Sequence, residues 1–267
     1  MTDHDDGIRN DARERVWKDL RDVALPDSRF GWDFSSFIAD YEGSDACATK
    51  IRTRAARRGY DSWFVTPDNN LNILREQLIE EPTEFVMPTY GIRRGFLRLV
   101  PEDVPDGQAA FASTLDGMTR FASRIELGAM ERELPKLDCM LTGASFVTHD
   151  GLRMGKGHGF FDLEWAMMRE VGLADEETDI VAVVHDVQVV DEPAGQELAA
   201  SHDTIVDAIV TPDRVIEIDD APPKPEGIRW PLLERDEIDQ IPPLRELWER
   251  AGRPALGGES DYSSVCN

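Results

Sequence analysis

Lysine is scarce in this sequence of 267 residues: only five of its 29 basic residues are lysines, and the others are arginines. The 53 aspartates and glutamates bring the formal net charge to -24. The lack of a net basic field makes a general role in nucleic-acid binding unlikely, because such binding depends on releasing counterions from phosphates. An acidic, lysine-poor composition is typical of proteins that work in molar salt, where the Debye length falls to about 3 Å and self-repulsion is screened. We therefore expect a halophilic protein, with an ordinary acidic protein as the alternative.

Cysteine is also rare, with three residues that are far apart and form no C-x-x-C motif (Cys47, Cys139 and Cys266). This argues against a disulfide scaffold or a zinc ribbon and favours a reducing compartment. No apolar run approaches the roughly 20 residues that a membrane-spanning helix needs. The acidic start of the sequence has no apolar segment behind it, which predicts that there is no secretory signal. We therefore expect a cytoplasmic protein without a membrane partner.

The hydrophobic pattern indicates a globular α/β protein, with 41% hydrophobic residues and a mean hydropathy of -0.41. Helical spacing of apolar residues predicts helices at 8–25, 45–58, 118–127 and 161–171. Short apolar runs predict strands at 62–65, 84–87, 95–99, 137–141, 179–185 and 204–210. Continuous valine and isoleucine runs separated by helices predict a mostly parallel sheet that is covered on both faces.

The composition changes after residue 217, and this change gives the predicted domain organisation. Residues 1–217 are predicted to form one α/β domain. Residues 218–267 are predicted to contain a proline-rich linker at 221–225, a short helix at 243–251 and a loose C-terminal tail. This second segment is not expected to be an independent domain.

A glycine-rich loop at residues 153–162, with the sequence R-M-G-K-G-H-G-F-F-D, carries the clearest chemistry. Three glycines alternate in it (Gly155, Gly157 and Gly159). Alternating glycines let the backbone adopt positive φ and bring several N–H groups towards one anion. The helix that is predicted to follow would add favourable potential for a phosphate at its N-terminus. The loop is neither a P-loop, since no Ser or Thr follows Lys156, nor a G-x-G-x-x-G dinucleotide motif.

The charged residues of the loop agree with phosphate binding. Lys156 supplies a point charge, and Arg153 could bind phosphate oxygens in a bidentate manner. Asp162 follows one turn later, where a carboxylate could hold a magnesium ion that is bound to those phosphates. These residues alone leave two interpretations: a phosphate-binding loop, or a flexible connection between a strand and a helix.

The loop resembles the R-L-G-[RK]-G-x-G-[YF]-Y-D motif of the 5-formyltetrahydrofolate cyclo-ligases, which are also called methenyltetrahydrofolate synthetases. The resemblance continues through residues 184–193, V-H-D-V-Q-V-V-D-E-P, and residues 202–211, H-D-T-I-V-D-A-I-V-T. The run D-L-E-W-A-M-M at 162–168 looks closest to the branch called methenyltetrahydrofolate synthetase domain-containing proteins. The resemblance implies a three-layer α/β/α fold of the NagB/RpiA/CoA-transferase type, which sugar-phosphate isomerases share.

The family resemblance implies an ATP-dependent ligase of one-carbon metabolism that converts 5-formyltetrahydrofolate to 5,10-methenyltetrahydrofolate. ATP would phosphorylate the formyl oxygen, the neighbouring amine would attack the activated carbon, and phosphate would leave. The implied cofactors are ATP and Mg²⁺. Arg9 and Arg13, four residues apart on one predicted helix, match the family's basic pair that contacts ATP phosphates.

The remaining site residues are also carried over from the family motif. Lys156 and Arg153 are the implied catalytic residues, and Asp162 and Asp203 match the magnesium-binding aspartates. The implied ATP-binding residues of the loop are Arg153, Gly155, Lys156, Gly157, His158, Gly159, Phe160 and Phe161. The implied folate-binding residues are Lys156, Gly157, His158, Gly159 and Phe160.

The sequence departs from the family pattern at several positions. Phe160 and Phe161 stand where many cyclo-ligases have tyrosine, and His158 replaces a glycine or lysine. The glutamate that holds the pterin in the first half of true cyclo-ligases has no counterpart that we can identify. Two alternatives therefore stay open: a non-catalytic protein that binds nucleotide or folate, with RNA association as one version of it, and an ATP-dependent enzyme that acts on another substrate.

Other charged residues have competing interpretations. The pair His185 and Asp186 could serve acid–base catalysis or cap the end of a strand. Asp203 could likewise be a turn residue, and His158 an exposed loop residue. One basic cluster, which could meet a phosphate, a polyglutamate tail or RNA, is more simply a solvated helix that pairs with surface acids. Its members are Lys50, Arg52, Arg54, Arg57 and Arg58.

Overall fold

The computed structural model describes residues 3–191, 200, 202–219 and 221–253. The α-helices are α1 Asp3–Leu20, α2 Ser44–Arg58, α3 Asn72–Glu80, α4 Ala109–Ala112, α5 Leu115–Phe121, α6 Leu127–Glu133, α7 Phe160–Glu170, α8 Arg235–Gln240 and α9 Pro242–Arg250. The first strands are β1 Trp63–Val65, β2 Phe85–Pro88, β3 Phe96–Leu99, β4 Ser123–Ile125, β5 Cys139–Thr142 and β6 Phe146–Thr148. The later strands are β7 Arg153–Met154, β8 Asp179–Val183, β9 Val189–Val190, β10 Ala208–Val210 and β11 Val215–Glu217.

The main sheet has eight strands in the order β11-β10-β8-β5-β1-β2-β3-β4. The five central strands, from β10 to β2, run parallel to one another, and antiparallel strands complete both edges. A small sheet of order β7-β6-β9 lies apart from it. The prediction of a mostly parallel sheet is thus confirmed.

Alternate residues of the central strands point to opposite faces of the sheet and build two separate cores. On one face, Phe64 belongs to a cluster that includes Phe161 and Trp165 of α7. On the other face, Val65 belongs to a cluster that includes Ile51 of α2 and Leu74 of α3. Helices therefore cover both faces, and the three-layer α/β/α architecture is confirmed.

Two of the predicted helices have different bounds. Helix α1 ends at Leu20, several residues before the predicted stop at Pro26, and a turn follows it. The predicted helix at 118–127 is wrong, because helix α5 ends at Phe121 and the backbone of Ala122 is extended. Strand β4 pairs with β3 there, and α6 starts afterwards. No glycine or proline marks this break in the sequence.

Residues 221–253 pack against the first core. Ile228, Ile238, Ile241, Leu244 and Leu247 are buried in the cluster that covers α7. The predicted short helix near the C-terminus is present as α9. The boundary at residue 217 remains a prediction, and the predicted loose tail at 257–267 lies outside the described residues.

Candidate active site

A cavity of about 540 Å³ opens at the carboxyl ends of β1 and β5. Residues that follow these strands line it, among them Thr66 and Asp68 after β1, and Thr142 at the end of β5. Ligands of open α/β sheets bind at this edge, outside the carboxyl ends of parallel strands. The glycine-rich loop and the arginines of α1 complete its wall.

The glycine-rich loop has the backbone that its sequence predicts. Gly157 has φ +103° and Gly159 has φ +63°, both in the region that favours glycine. Gly159 is the residue before α7, so the loop leads directly into the N-terminus of that helix. One detail differs from the prediction: the hairpin of β6 and β7 lies between β5 and the loop.

Arg9 and Arg13 of α1 both line the cavity, which agrees with the shared helix face that their spacing predicted. The Nε of Arg13 donates to the carbonyl oxygen of Gly155 at 2.7 Å, which ties α1 to the loop. Arg9 lies on the same helix and forms a buried ion pair with Asp203, with Nη2 2.7 Å from Oδ2. The family resemblance assigns Arg9 to phosphate and Asp203 to magnesium, but in this structure the two residues pair with each other.

Arg153 and Lys156 bring positive charge to the inside of the loop. The Nε of Arg153 donates to the carbonyl oxygen of Gly143 at 3.0 Å, and its guanidinium lies 4.7 Å from the centre of the Phe161 ring. Burial lowers the pKa of Lys156, and the charge of Arg153 lowers it further, while Asp68 opposes this effect. Both cations are therefore held near the same space, where an anion would relieve their repulsion.

His158 is exposed and its ring stacks on Phe160, with 5.4 Å between ring centres and 4° between ring planes. Partial burial lowers the pKa of His158, and Lys156 and Arg13 add to this effect. The imidazole is therefore biased towards its neutral form, and it presents a flat face at the mouth of the cavity.

The two candidate magnesium ligands differ in how they are engaged. Oδ1 of Asp162 accepts hydrogen bonds from the backbone N–H and the hydroxyl of Thr204, at 2.9 and 2.7 Å. Burial raises the pKa of Asp162, and Arg153 and Thr204 oppose the rise. Asp203 accepts from Arg9 and from the backbone N–H of Ala200.

These carboxylates fit a magnesium ion that arrives with phosphates rather than one held by protein alone. Within the described ranges, no three His, Cys, Asp or Glu residues are grouped to hold a metal ion. Magnesium commonly uses only one or two carboxylates, with phosphate oxygens and water as its other ligands. Asp162 fits such a site directly, whereas Asp203 would first have to leave Arg9.

Asp68 is a cavity residue that the sequence reasoning missed. Its Oδ2 accepts from the hydroxyl of Thr66 at 2.6 Å and from the N–H of Gly143 at 2.8 Å. Arg75 fixes the turn by donating to the carbonyl oxygens of Thr66 and Asp68, and burial lowers the pKa of this arginine to about 10. A carboxylate just after a central strand, in T-P-D-N-N, was the signal that could have identified it.

Two further groups of lining residues were missed. Glu164 lies on the otherwise apolar inner side of α7, and an acid within a helix gives no sequence signal of burial. The other group comes from residues 225–237, which belong to the segment 218–267 that was predicted to lie outside the α/β domain. Its lining members are Pro225, Gly227, Ile228, Arg229, Leu232, Leu233 and Glu237.

The remaining candidates have structural roles in this protein. His185 caps the short 3₁₀-helix Asp186–Gln188, because its Nδ1 accepts from the N–H of Val187 at 3.3 Å. Asp186 accepts from the hydroxyl of Thr211 at 2.7 Å. These contacts favour the interpretation of the His185–Asp186 pair as a cap.

The basic cluster on α2 largely pairs with acids. Arg54 forms a buried ion pair with Asp179, with Nη2 2.7 Å from Oδ2, and it also pairs with Glu217. Arg52 pairs with Glu81. The structure thus agrees with the simpler interpretation of the cluster as a helix that pairs with nearby acids.

Comparison with known proteins places these features in context. The 5-formyltetrahydrofolate cyclo-ligase family matches residues 13–212. A Homo sapiens methenyltetrahydrofolate synthase domain-containing protein is 32% identical over 260 residues, which cover 95% of this chain and 66% of that protein. The protein of the same name from Danio rerio is 33% identical over 262 residues, covering 94% of this chain and 66% of that protein. The chain therefore spans just under two thirds of the length of these relatives.

Two solved structures are similar at low identity. A 5,10-methenyltetrahydrofolate synthetase from Aquifex aeolicus is 14% identical with a TM-score of 0.48, covering 80% of this chain and 95% of that one. The enzyme of the same name from Mycoplasma pneumoniae is 14% identical with a TM-score of 0.44, covering 76% of this chain and 97% of that one.

The described part of the chain has no helix with the length and apolarity that a membrane crossing needs.

Proposed function

Because the chain belongs to the 5-formyltetrahydrofolate cyclo-ligase family, we propose that it converts 5-formyltetrahydrofolate to 5,10-methenyltetrahydrofolate and consumes ATP. The observation that carries this proposal is the convergence of the glycine-rich loop, α1 and α7 on one cavity. The cationic side chains that line it include Arg13, Arg153 and Lys156, which belong to the loop or lie beside it. This arrangement suits an anionic phosphoryl group.

The reaction consists of a phosphoryl transfer followed by a ring closure. The formyl oxygen attacks the γ-phosphorus of ATP, and ADP leaves. The neighbouring amine attacks the activated formyl carbon and loses its proton, and the carbon–oxygen bond then breaks to release inorganic phosphate. No covalent nucleophile from the protein is required, so its contribution is positioning and electrostatic stabilisation.

We assign Lys156 and Arg153 to the charge on the transferred phosphoryl group. The N–H groups of residues 155–159 and the N-terminus of α7 would contact the same phosphates. Arg13 holds the loop through Gly155 and lies beside Gly157, where its guanidinium would also contact bound phosphates. Magnesium, when bound, would supply charge neutralisation at the phosphate oxygens, with Asp162 as its protein ligand.

A second candidate is a non-catalytic protein that binds nucleotide or folate. It is favoured by the buried pairing of Arg9 with Asp203, because the family resemblance assigns these two residues to ATP and to magnesium. This protein would bind ATP but would release no phosphate in response to 5-formyltetrahydrofolate. Cytoplasmic location and adaptation to molar salt also remain predictions.

The test follows absorbance at the methenylfolate band in molar KCl. ATP, magnesium and 5-formyltetrahydrofolate are supplied together and then omitted one at a time. We expect a rise only when all three are present, and we expect Lys156→Ala to abolish it. If folded protein binds ATP and gives no rise, the cyclo-ligase proposal is wrong, and either the binding protein or an ATP-dependent enzyme with another substrate replaces it.

A further inference from the structure

Glu164 is a buried acid in the cavity wall that the proposed reaction does not use. Its side chain lines the cavity from α7, and the residue is only 4% exposed. Its Oε2 atom is buried and has no hydrogen-bond partner among the described residues. Unpartnered buried polar atoms are rare in folded proteins, so each one needs a physical reason.

The position of Glu164 has a cost for the unliganded protein. Its neighbours on α7, including Leu163, Trp165 and Met168, are buried apolar residues. A leucine at 164 would continue this surface without a desolvation penalty, whereas a carboxyl group without a partner costs free energy. The retained acid therefore indicates a contact that forms only when the cavity is filled.

The charged groups around Glu164 do not supply that contact. Asp68, Arg153, Lys156 and Asp162 act on it through space, and none of them donates a hydrogen bond to the buried oxygen. The neighbouring positive charges therefore do not fill the acceptor position on the buried oxygen of Glu164.

The cavity also offers flat aromatic surfaces. The rings of Phe30 and Tyr90, which line it, are stacked with 5.7 Å between their centres. Phe160 lies against Gly91, the residue after Tyr90, where an added Cβ would be 3.4 Å from the ring, and His158 stacks on Phe160. Such faces suit a planar ring system, and a planar nitrogen heterocycle with an amino group presents N–H donors at its edge.

We propose that Glu164 is a ligand-binding residue that accepts a hydrogen bond from the N–H edge of an amino-substituted nitrogen heterocycle. This inference rests on the proposed function, because both ligands of that reaction carry such a ring. The adenine of ATP and the pteridine ring of the folate share the chemistry. The experiment below separates these two sources.

The test measures the dissociation constants of ATP and of 5-formyltetrahydrofolate separately by calorimetry, for the wild type, Glu164→Gln and Glu164→Leu. We expect Glu164→Leu to weaken the binding of one of the two ligands at least tenfold, since a ligand N–H would lose its hydrogen-bond acceptor. The other ligand should stay within twofold. Glu164→Gln keeps a neutral acceptor and should have a smaller effect in the same direction.

Two controls separate ligand binding from a structural role. Asp179→Asn removes a different buried carboxylate, one that pairs with Arg54 away from the cavity, and it should weaken neither ligand. The thermal midpoint of unliganded Glu164→Leu should rise, because an unpartnered carboxyl is replaced by an apolar group.

Ligand analogues test the N–H donor itself. If ATP is the affected ligand, the purine riboside triphosphate, which lacks the amino group, should bind wild type and Glu164→Leu equally. If the folate is the affected ligand, its 2-desamino analogue should likewise bind wild type and Glu164→Leu with equal affinity.

The outcomes distinguish this inference from the proposed function. Unchanged affinity for both ligands in Glu164→Leu, or an equal loss for both together with a lower thermal midpoint, would overturn the role of Glu164. A wild type that binds ATP but forms no methenylfolate would contradict only the cyclo-ligase reaction, and the ATP arm would still test Glu164. A wild type that binds neither ligand would overturn both.

Discussion

Arg9 donates to Asp203 across 194 residues of sequence, with Nη2 2.7 Å from Oδ2 and each side chain only 7% exposed. The family resemblance assigns the first residue to ATP phosphates and the second to magnesium. In this structure each one neutralises the other. A magnesium–ATP complex carries charges of both signs. It could therefore separate the pair without leaving a buried charge alone, because a phosphate would pair with Arg9 and the magnesium ion with Asp203.

This buried pair should be strongly coupled in stability. We expect Arg9→Leu or Asp203→Leu alone to lower the free energy of unfolding by about 3–5 kcal/mol, because each variant breaks a buried ion pair by removing one of its two members. The double variant should lose far less than the sum. Urea unfolding of the four proteins at one salt concentration measures the coupling.

The exposed pair of Arg250 and Glu131, with Nη1 3.0 Å from Oε2, is the matched control. Its removal should change the free energy of unfolding by about 1 kcal/mol or less, because both groups are well solvated. Additive effects for Arg9 and Asp203 would contradict the buried pairing.

The lowered pKa of Lys156 predicts how ATP binding depends on pH. Burial favours the neutral amine, so the free protein loses this charge at a lower pH than an ordinary lysine does. Bound phosphate favours the charged amine. The affinity for ATP should therefore fall as pH rises through this lowered pKa, at a pH where an exposed lysine would still be charged.

Lys156→Arg is the control for that decline, since arginine stays charged over the whole range. Calorimetric titrations of ATP from neutral to alkaline pH should show the decline in the wild type and its absence in the arginine variant.

The stability of the unliganded protein should change in the opposite direction. Because the pKa of Lys156 is lower in the folded protein, the free energy of unfolding should rise as pH rises from that pKa towards the ordinary value of 10.5. If the affinity for ATP declined equally in the wild type and in Lys156→Arg at alkaline pH, a group other than Lys156 would control it.

The sequence predicted what depends on local pattern. The continuous apolar runs identified β5 and β8, since a strand that is buried on both faces must be apolar throughout. The glycine spacing identified the loop at 153–162, because positive φ at Gly157 and Gly159 requires that residue type. The placement of Arg9 and Arg13 on one helix face followed from their separation of four.

The features that the sequence did not predict depend on contacts between distant residues. Lys224 stands in a proline-rich run that looks like a linker, yet its Nζ donates to the carbonyl oxygen of Thr178 and lies 2.8 Å from Oδ2 of Asp207. These contacts hold residues 221–253 against the core. The burial of Glu164 was hidden for the same reason, because the segments that cover it come from elsewhere in the chain.

The backbone of the loop provides a third prediction. An alanine at Gly157 would have to adopt φ +103°, which costs about 1–3 kcal/mol, and its Cβ would lie 3.7 Å from the guanidinium of Arg13. We expect Gly157→Ala to weaken ATP binding because the loop N–H groups would move. Calorimetry with ATP and thermal unfolding measure the two effects.

Gly7 in α1 offers a matched control, since an added Cβ there meets nothing within 4 Å. Gly7→Ala should raise the free energy of unfolding by about 0.5–1 kcal/mol through helix propensity and leave ATP binding unchanged. Wild-type affinity in Gly157→Ala would mean that the loop backbone does not contact the phosphates.

The C-terminal segment gives the last prediction, which concerns whether it is part of the folded core. Leu244 of α9 is 0% exposed, whereas Leu232 at the cavity mouth is 56% exposed. Leu244→Ala should lower the free energy of unfolding by about 2–5 kcal/mol, because it leaves a cavity beside α7. Leu232→Ala should change that free energy by less than about 0.5 kcal/mol. Urea unfolding decides between the two descriptions of residues 221–253: a small effect at both positions would support a linker and tail, whereas a large effect at Leu244 alone would mean that the residues that close the cavity fold together with the sheet.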